Sequence, residues 1–315
     1  MLQLGYACIN ETLAAKGYSV NTGCKAKTVR ELGIECVKEK ITQNLKTVIK
    51  ILMYNENNDI KLYRLSSAMF SNLTNPEFIY ENEKYSYRLG DYSTLLKRIG
   101  ELAHNFEHRL TFHPDFHVQL ATESDVVLQK SILDLEYHCD VLDIMGCDKQ
   151  SVLVLHVGGV YGDRIKTMKR WVKRFCSLPA NIRDRLVLEN CERGYSIRDT
   201  LWVSRKIKKK TGRNIPCVFD THHDECYRLL YADHNLDESE NYMKRILKTW
   251  DNVDIIPKFH ISEQDEEKRI GAHSRYVETI PQYLFDISRD RRVDIMIEAK
   301  AKERAVLKLK KKYGI

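Results

Sequence analysis

The 315-residue chain has no run of about 18 or more apolar residues, so nothing in it reads as a membrane-spanning helix. It opens on Met1-Leu-Gln-Leu-Gly-Tyr, without the basic and apolar blocks of a signal peptide. An intracellular protein, cytoplasmic or nucleoid/nuclear and not secreted, is expected. The nine cysteines include no Cys-x-x-Cys pair, and Cys139, Cys176 and Cys217 fall in stretches that read as strand or helix. They are expected to be reduced structural thiols. No linker or low-complexity segment breaks the sequence, which confines any disorder to the ends. Hydrophobic residues at 43% and charged residues at 30% suit a globular protein with a sizeable core. A formal charge of +7 permits a polyanionic partner without requiring one.

What the chain does have is a recurring run of apolar residues that ends in a metal-ligating side chain. The runs are Arg109-Leu-Thr-Phe-His113, Val152-Leu-Val-Leu-His156, Arg185-Leu-Val-Leu-Glu189, Pro216-Cys-Val-Phe-Asp220, Ile255-Ile-Pro-Lys-Phe-His260 and Asp294-Ile-Met-Ile-Glu298. A parallel strand buried on both faces reads as such a run, and a His, Asp or Glu at its carboxyl end is aimed beyond the sheet. Several strands delivering ligands to one place suggest a metal-dependent active site.

Eight strand-then-helix units account for the chain. The strands are expected near 2–7, 61–65, 109–112, 152–155, 185–188, 216–219, 255–259 and 293–297. Between the first strand and the helix bearing Val37, Ile41, Leu45, Val48 and Leu52, residues 10–27 are expected to loop. A long irregular stretch follows the second strand, before a helix with Leu95, Ile99, Leu102 and Phe106 on one side. Ser196-Ile-Arg-Asp199 has the form of a capping arrangement, and a last helix is expected from about Lys300. Eight alternating units argue for an α/β fold, a single (β/α)8 TIM-barrel domain over 1–315, rather than a doubly wound sheet. All strand ends then face one mouth, where His113, His156, Glu189, Asp220, His260 and Glu298 converge.

In these residues and their surroundings the sequence resembles the UV damage endonuclease family. The matching segments include Leu4-Gly-Tyr6 with Asn10, Arg64-Leu-Ser-Ser67, His113-Pro114, His156-Val-Gly-Gly-Val-Tyr-Gly-Asp163, Leu188-Glu-Asn190, Phe219-Asp-Thr-His-His223, Pro257-Lys-Phe-His260, Ala272-His-Ser274 and Glu298-Ala-Lys300. They span nearly the whole chain. The resemblance implies a DNA repair endonuclease that hydrolyses the phosphodiester 5′ to a UV photoproduct, leaving a 3′-hydroxyl and a 5′-phosphate, with up to three divalent metals, manganese favoured. It implies the ligands His113, His156, Glu189, Asp220, His223, His260, His273 and Glu298, six of which the strand-end pattern singles out by itself. Glu189 is the expected bridge between two metals and, with Lys258 and His260, forms the expected catalytic group. In the family the lysine matching Lys258 can be carboxylated; an ordinary lysine contacting phosphate is the alternative reading.

Two segments depart from the family. Near Leu73-Thr-Asn75-Pro76 the family has a His, so Asn75 would offer an amide oxygen, a poorer ligand for softer divalent metals. After His113-Pro114 the family continues Gly-Gln-Tyr, which contains the pair that probes the duplex, whereas here Asp115-Phe116-His117 follows. Phe116 and His117 are aromatic and suited to wedging and stacking. Tyr6 and Asn10 are expected on the rim against distorted nucleotides, with Arg164, Lys166, Lys268, Arg269 and Arg275 as phosphate contacts in loops at the mouth. The runs Lys208-Lys-Lys210 and Lys310-Lys-Lys312 close helices and belong at the opposite face. His104, His108, His138 and His234 lack strand-end context and read as surface or helix residues. The expected partner is double-stranded damaged DNA, bound by a monomer and away from membranes. Two other functions fit a barrel of this kind: a metal-dependent sugar isomerase or epimerase, which needs about four ligands where eight are available, and a catalytically weakened damaged-DNA-binding homologue.

Overall fold

Each strand-like run of the sequence forms a strand in the computed structural model, which describes residues 1–79 and 83–315. The irregular stretch expected after the second strand includes residues 80–82, which lie outside the described residues. The strands are β1 (Leu2–Ala7), β2 (Leu62–Arg64), β3 (Arg109–Thr111), β4 (Leu153–His156), β5 (Leu186–Glu189), β6 (Cys217–Asp220), β7 (Lys258–Ile261) and β8 (Val293–Ile297). Their order is β3-β2-β1-β8-β7-β6-β5-β4, and every pairing is parallel. The remaining gap is closed by a single bridge, Phe112 to Leu153, in which Phe112 N donates to Val152 O and Val154 N donates to Phe112 O, both at 3.0 Å. The result is the expected (β/α)8 barrel.

Helices pack around it because their apolar residues recur at helical spacing. The helix Glu35–Asn57 buries Val37, Ile41, Leu45, Val48 and Leu52. The helix Ile197–Thr211 begins with the expected capping box of Ser196 and Asp199 and ends at Gly212, whose φ of 74° is the left-handed conformation glycine adopts without penalty. Among the described residues no helix is long and apolar enough to cross a membrane, and all nine cysteines are unpaired.

Two local expectations change. Within residues 10–27 the chain turns one short helix, Glu11–Ala14, and enters a second, Ala26–Leu32, at its end. The short helix is too brief to show periodicity; it is held by Asn10 capping Leu13 N and by Glu303, whose carboxylate accepts from Glu11 N (2.7 Å), Thr12 N (2.8 Å) and Thr12 Oγ1 (2.8 Å). The last helix begins at Glu303, not near Lys300, since Lys302 sits at a φ of 50°.

The barrel interior is polar as well as apolar. Ala7, Leu62 and Met296 form a small apolar cluster apart from the main core. Toward the amino-terminal end, Arg109 Nη1 meets Asp294 Oδ2 at 3.0 Å with both side chains buried, and the guanidinium also donates to Gln150 O (2.7 Å) and Ile256 O (2.9 Å). Removing one partner of a buried pair leaves a charge uncompensated. We therefore expect Asp294→Ala to lose about 3–5 kcal/mol in urea unfolding; a loss under about 1 kcal/mol would mean that the pair does not hold this end of the barrel.

His108, just before β3, is buried, with both ring nitrogens lacking a hydrogen-bond partner, although Nε2 lies 3.2 Å from Glu56 Oε2. Burial brings its pKa down to about 4. The unfolded chain, with a His pKa of about 6.5, takes up this proton first as pH falls. Stability is kept above about pH 6.5 and drains between there and pH 4. His108→Gln should reduce proton uptake on unfolding near pH 5 by about one, read from the slope of unfolding free energy against pH; an unchanged slope would refute this.

Candidate metal centre

The strand register sets the ligands at two neighbouring levels. His156 pairs with Glu189 across β4 and β5, and Asp220 with His260 across β6 and β7. His113 lies just beyond β3 and Glu298 just beyond β8. Asp220 also caps the helix Thr221–Leu230, accepting from His223 N at 2.7 Å, which carries His223 to the same mouth. His273 arrives on the loop after β7, pinned by the bridge between Gln264 and His273.

Glu189 is at the centre. Its Oε2 accepts from His113 Nε2 at 2.9 Å and lies 3.4 Å from His156 Nε2, while its Oε1 is 2.5 Å from His260 Nδ1 and 4.0 Å from His223 Nδ1. Glu298 follows, with Oε1 3.2 Å from His260 Nδ1 and Oε2 3.9 Å from His273 Nδ1. The imidazoles form a chain: His113 to His156 at 5.1 Å between ring centroids, His156 to His223 at 5.4 Å, and His223 to His273 at 6.4 Å. All eight residues expected as ligands are thus brought together.

Two groups have ligand atoms close enough to share one ion: His113, His156 and Glu189, and Glu189, Asp220 and His260. The donor set fits divalent cations. Glu189 Oε1, Asp220 Oδ2 and His260 Nδ1 are buried without a hydrogen-bond partner, although Glu189 Oε1 and His260 Nδ1 nearly touch. Buried polar atoms are ordinarily paired, and lone-pair atoms crowded together without a hydrogen bond are what a cation satisfies.

The electrostatics of His156, His260 and Glu189 agree with that fit, while Asp220 and His223 share a proton when no cation is bound. Burial brings His156 and His260 down to about 4, which leaves both imidazoles neutral at physiological pH, the form that ligates a metal. Burial would raise Glu189, but His260, His156 and His113 hold it well below the usual carboxylate range. Burial pushes Asp220 up to about 7, against the pull of His223. Burial would lower His223, yet Asp220 and Glu189 raise it to about 9. Exposure is graded: Glu189 and His260 side chains are at 0%, whereas His156 and His273 reach 26% and 29%. The cluster therefore opens to solvent on one side.

Lys258 lies below the ligands, fully buried, with Nζ against His260 Nε2. Burial, with Arg64 and Arg109 nearby, brings it down to about 7.

Several residues contribute that the strand-end pattern does not single out. Arg64 Nη1 bonds Glu298 Oε1. Asn190 ties β5 to β6, its Nδ2 donating to Asp220 O and its Oδ1 accepting from Asp220 N, both at 2.9 Å. His138 lies on the helix Asp125–Ile144, one of the two placements expected for it, and is fully buried. Its Nε2 is 2.9 Å from Ser67 Oγ, which donates to His113 O at 3.2 Å, and its Nδ1 is 3.2 Å from Asp134 Oδ1. Arg64, Ser67 and Asn190 stood within the segments that carry the family resemblance; nothing in the sequence marked His138 or Asp134.

The rim differs from expectation at four positions. Tyr6 and Asn10 are buried: the Tyr6 hydroxyl donates to Asn55 Oδ1 at 2.7 Å and accepts from Asn10 Nδ2 at 2.9 Å, so neither offers surface to a nucleotide. Arg164 opens the helix Arg164–Ser177, paired with Asp199 at 2.8 Å and lying over the rings of Tyr195 and Tyr227, so its charge is spent inside the protein. Asn75 sits in a turn, its Oδ1 accepting from Glu77 N at 3.1 Å. By contrast Phe116 is 90% exposed. His117 is half-exposed and faces Asp134 Oδ2 at 3.4 Å. Lys166, Lys268, Arg269 and Arg275 are exposed, with Lys268 paired to Asp265 at 3.2 Å.

Comparison with known proteins gives the family. The chain is 36% identical to a putative UV-damage endonuclease of Acanthamoeba polyphaga mimivirus, over 99% of this chain and 92% of that protein. The crystal structure of SacUVDE superposes with a TM-score of 0.81 at 28% identity, covering 100% of this chain and 99% of the other. An L-ribulose 3-epimerase structure superposes at a TM-score of 0.54 and 13% identity, over 100% of this chain and 87% of the other, a likeness of fold alone. The profile of the UV-endonuclease UvdE family matches residues 2–314, and the chain belongs to that family.

Proposed function

We propose that this chain is a metal-dependent DNA repair endonuclease that hydrolyses the phosphodiester 5′ to a UV photoproduct and leaves a 3′-hydroxyl and a 5′-phosphate. The observation that carries the reading is Glu189, one buried carboxylate common to two ligand groups, with unpartnered donor atoms beside it. Divalent cations there, up to three and manganese by preference, would supply Lewis acidity and charge neutralisation for phosphoryl transfer. His113, His156 and Glu189 would hold one, and Glu189, Asp220 and His260 a second, with Glu298, His223 and His273 closing the cluster. Three such ions against the three carboxylates leave a surplus of about three positive charges, which favours an anionic substrate.

Lys258 positions His260 from beneath. Being buried, it does not reach a phosphate in solvent, and its lowered pKa makes available the neutral amine that carboxylation requires. Phe116 is the outstanding candidate to enter a distorted duplex, with His117 beside it, while Lys166, Lys268, Arg269 and Arg275 approach the backbone phosphates. Every proposed ligand comes from one chain, which supports action as a monomer, and nine unpaired cysteines suit the reducing interior of a cell. The eight-residue ligand set exceeds the roughly four that a sugar isomerase needs and favours the nuclease reading.

Supercoiled plasmid, UV-irradiated or not, incubated with manganese or with chelator tests this. Nicking is expected only for irradiated plasmid with manganese; equal nicking of both plasmids would sink lesion specificity, and none with manganese would leave a damage-binding protein without catalysis. Glu189→Gln should lower nicking by about 10³-fold, equivalent to about 4 kcal/mol in the barrier, and lose manganese measured by calorimetry. Duplex binding should stay largely intact, since the exposed Lys166, Lys268, Arg269 and Arg275 that approach the backbone phosphates are kept. An active variant would refute the bridging role.

A further inference from the structure

Outside the barrel, a cavity of about 840 Å³ lies between the helices Arg164–Ser177, Ile197–Thr211 and Ser239–Trp250, and none of the eight proposed ligands lines it. Along the middle helix Arg198, Leu201, Trp202, Arg205 and Lys208 fall at spacings of three and four, so one stripe of that helix forms a wall. The ten rises of about 1.5 Å from Arg198 to Lys208 make that wall about 15 Å long. Lys208 belongs to the basic run that the sequence assigns to the face away from the mouth.

The lining carries six Lys and Arg side chains and one carboxylate, Asp199, which is already paired with Arg164. Among the described residues Arg205, Lys208 and Lys248 have no ion-pair or hydrogen-bond partner for their side chains. Like charges gathered in a concave place raise the local concentration of anions. The rest of the lining is mixed: Ile165, Met168, Leu201 and Trp202 form an apolar patch, beside the polar Ser204, Asn214, His234 and Thr249. Ile165 is 47% exposed, and Trp202 is partly exposed while Trp171 and Trp250 are buried.

These features select the ligand. An apolar floor adds nothing to the binding of inorganic phosphate, and a rigid duplex does not enter a cavity of small-molecule size. A molecule with a planar apolar body and several negative charges matches both halves of the lining. We propose that this groove is a second ligand site that takes a nucleoside polyphosphate, its base against Trp202 and its phosphates on Arg205, Lys208 and Lys248.

ATP is the probe, with adenosine and tripolyphosphate as its two halves, titrated into the full-length protein by calorimetry and by Trp202 emission. ATP is expected to bind at least tenfold more tightly than either half and to quench emission that Trp202→Phe removes. Base stacking on an aromatic is worth about 1–3 kcal/mol, so Trp202→Ala should weaken ATP about tenfold or more. Arg205→Glu with Lys208→Glu should abolish binding, yet leave the melting curve and the nicking of irradiated plasmid unchanged. No ATP binding at about 1 mM, tripolyphosphate binding as tightly as ATP, or full binding by the double variant would each overturn the proposal, and so would preference for an acidic peptide over ATP. These outcomes do not depend on nicking, because the melting curve separately shows whether the variant is folded.

Discussion

A carboxylate is costly to bury, and Glu189 is wholly buried at the centre of the barrel mouth. Its ionised form survives because imidazoles surround it, with His113 and His156 on one oxygen and His260 and His223 on the other. These contacts fix where β3, β4, β6 and β7 must end. They also make the site indivisible: neither ligand group is complete without the same residue. Asn190, next in sequence, extends the constraint by locking the end of β5 to Asp220.

Charge fills the barrel at two depths. Near the amino-terminal end opposite ions are paired, as in Arg109 and Asp294 with the backbone acceptors of the guanidinium. At the mouth, donor atoms are left unpartnered and lone pairs crowd together. Lys258 lies between the two levels, where burial, with Arg64 and Arg109 nearby, lowers its pKa against the pull of Glu189 and Glu298. One sheet thus carries a structural ion pair at one end and a chemically demanding cluster at the other, the usual division of labour between the two faces of such barrels.

The strand-end ligands were legible because two strong constraints coincide in them: a strand buried on both faces is continuously apolar, and the residue that ends it must meet whatever lies at the mouth. His223 and His273 break that rule, since one sits within a helix and the other on a loop, so only the family resemblance pointed to them. The rim was read less well. Tyr6 and Asn10 lie at the end of a strand, but whether a tyrosine there faces outward or finds an acceptor inside depends on Asn55, more than forty residues away. Arg164 looked like a free cation because Asp199 and the tyrosines that hold it come from later units. His138 had no strand beneath it, and its role arises only when its helix packs beside Ser67. In each case the missing information is a partner distant in sequence, whereas a strand and its terminal ligand are written in five consecutive residues.

Seven of the eight seams of the barrel are strand ladders, and the eighth, between β3 and β4, is a single bridge at Phe112. His113 follows that bridge directly and His156 ends the opposite strand, so the two stand astride the thinnest seam with Glu189 reaching both. An ion gripped by this trio would act as a staple across the seam, making closure of the cylinder and completion of its chemistry one event.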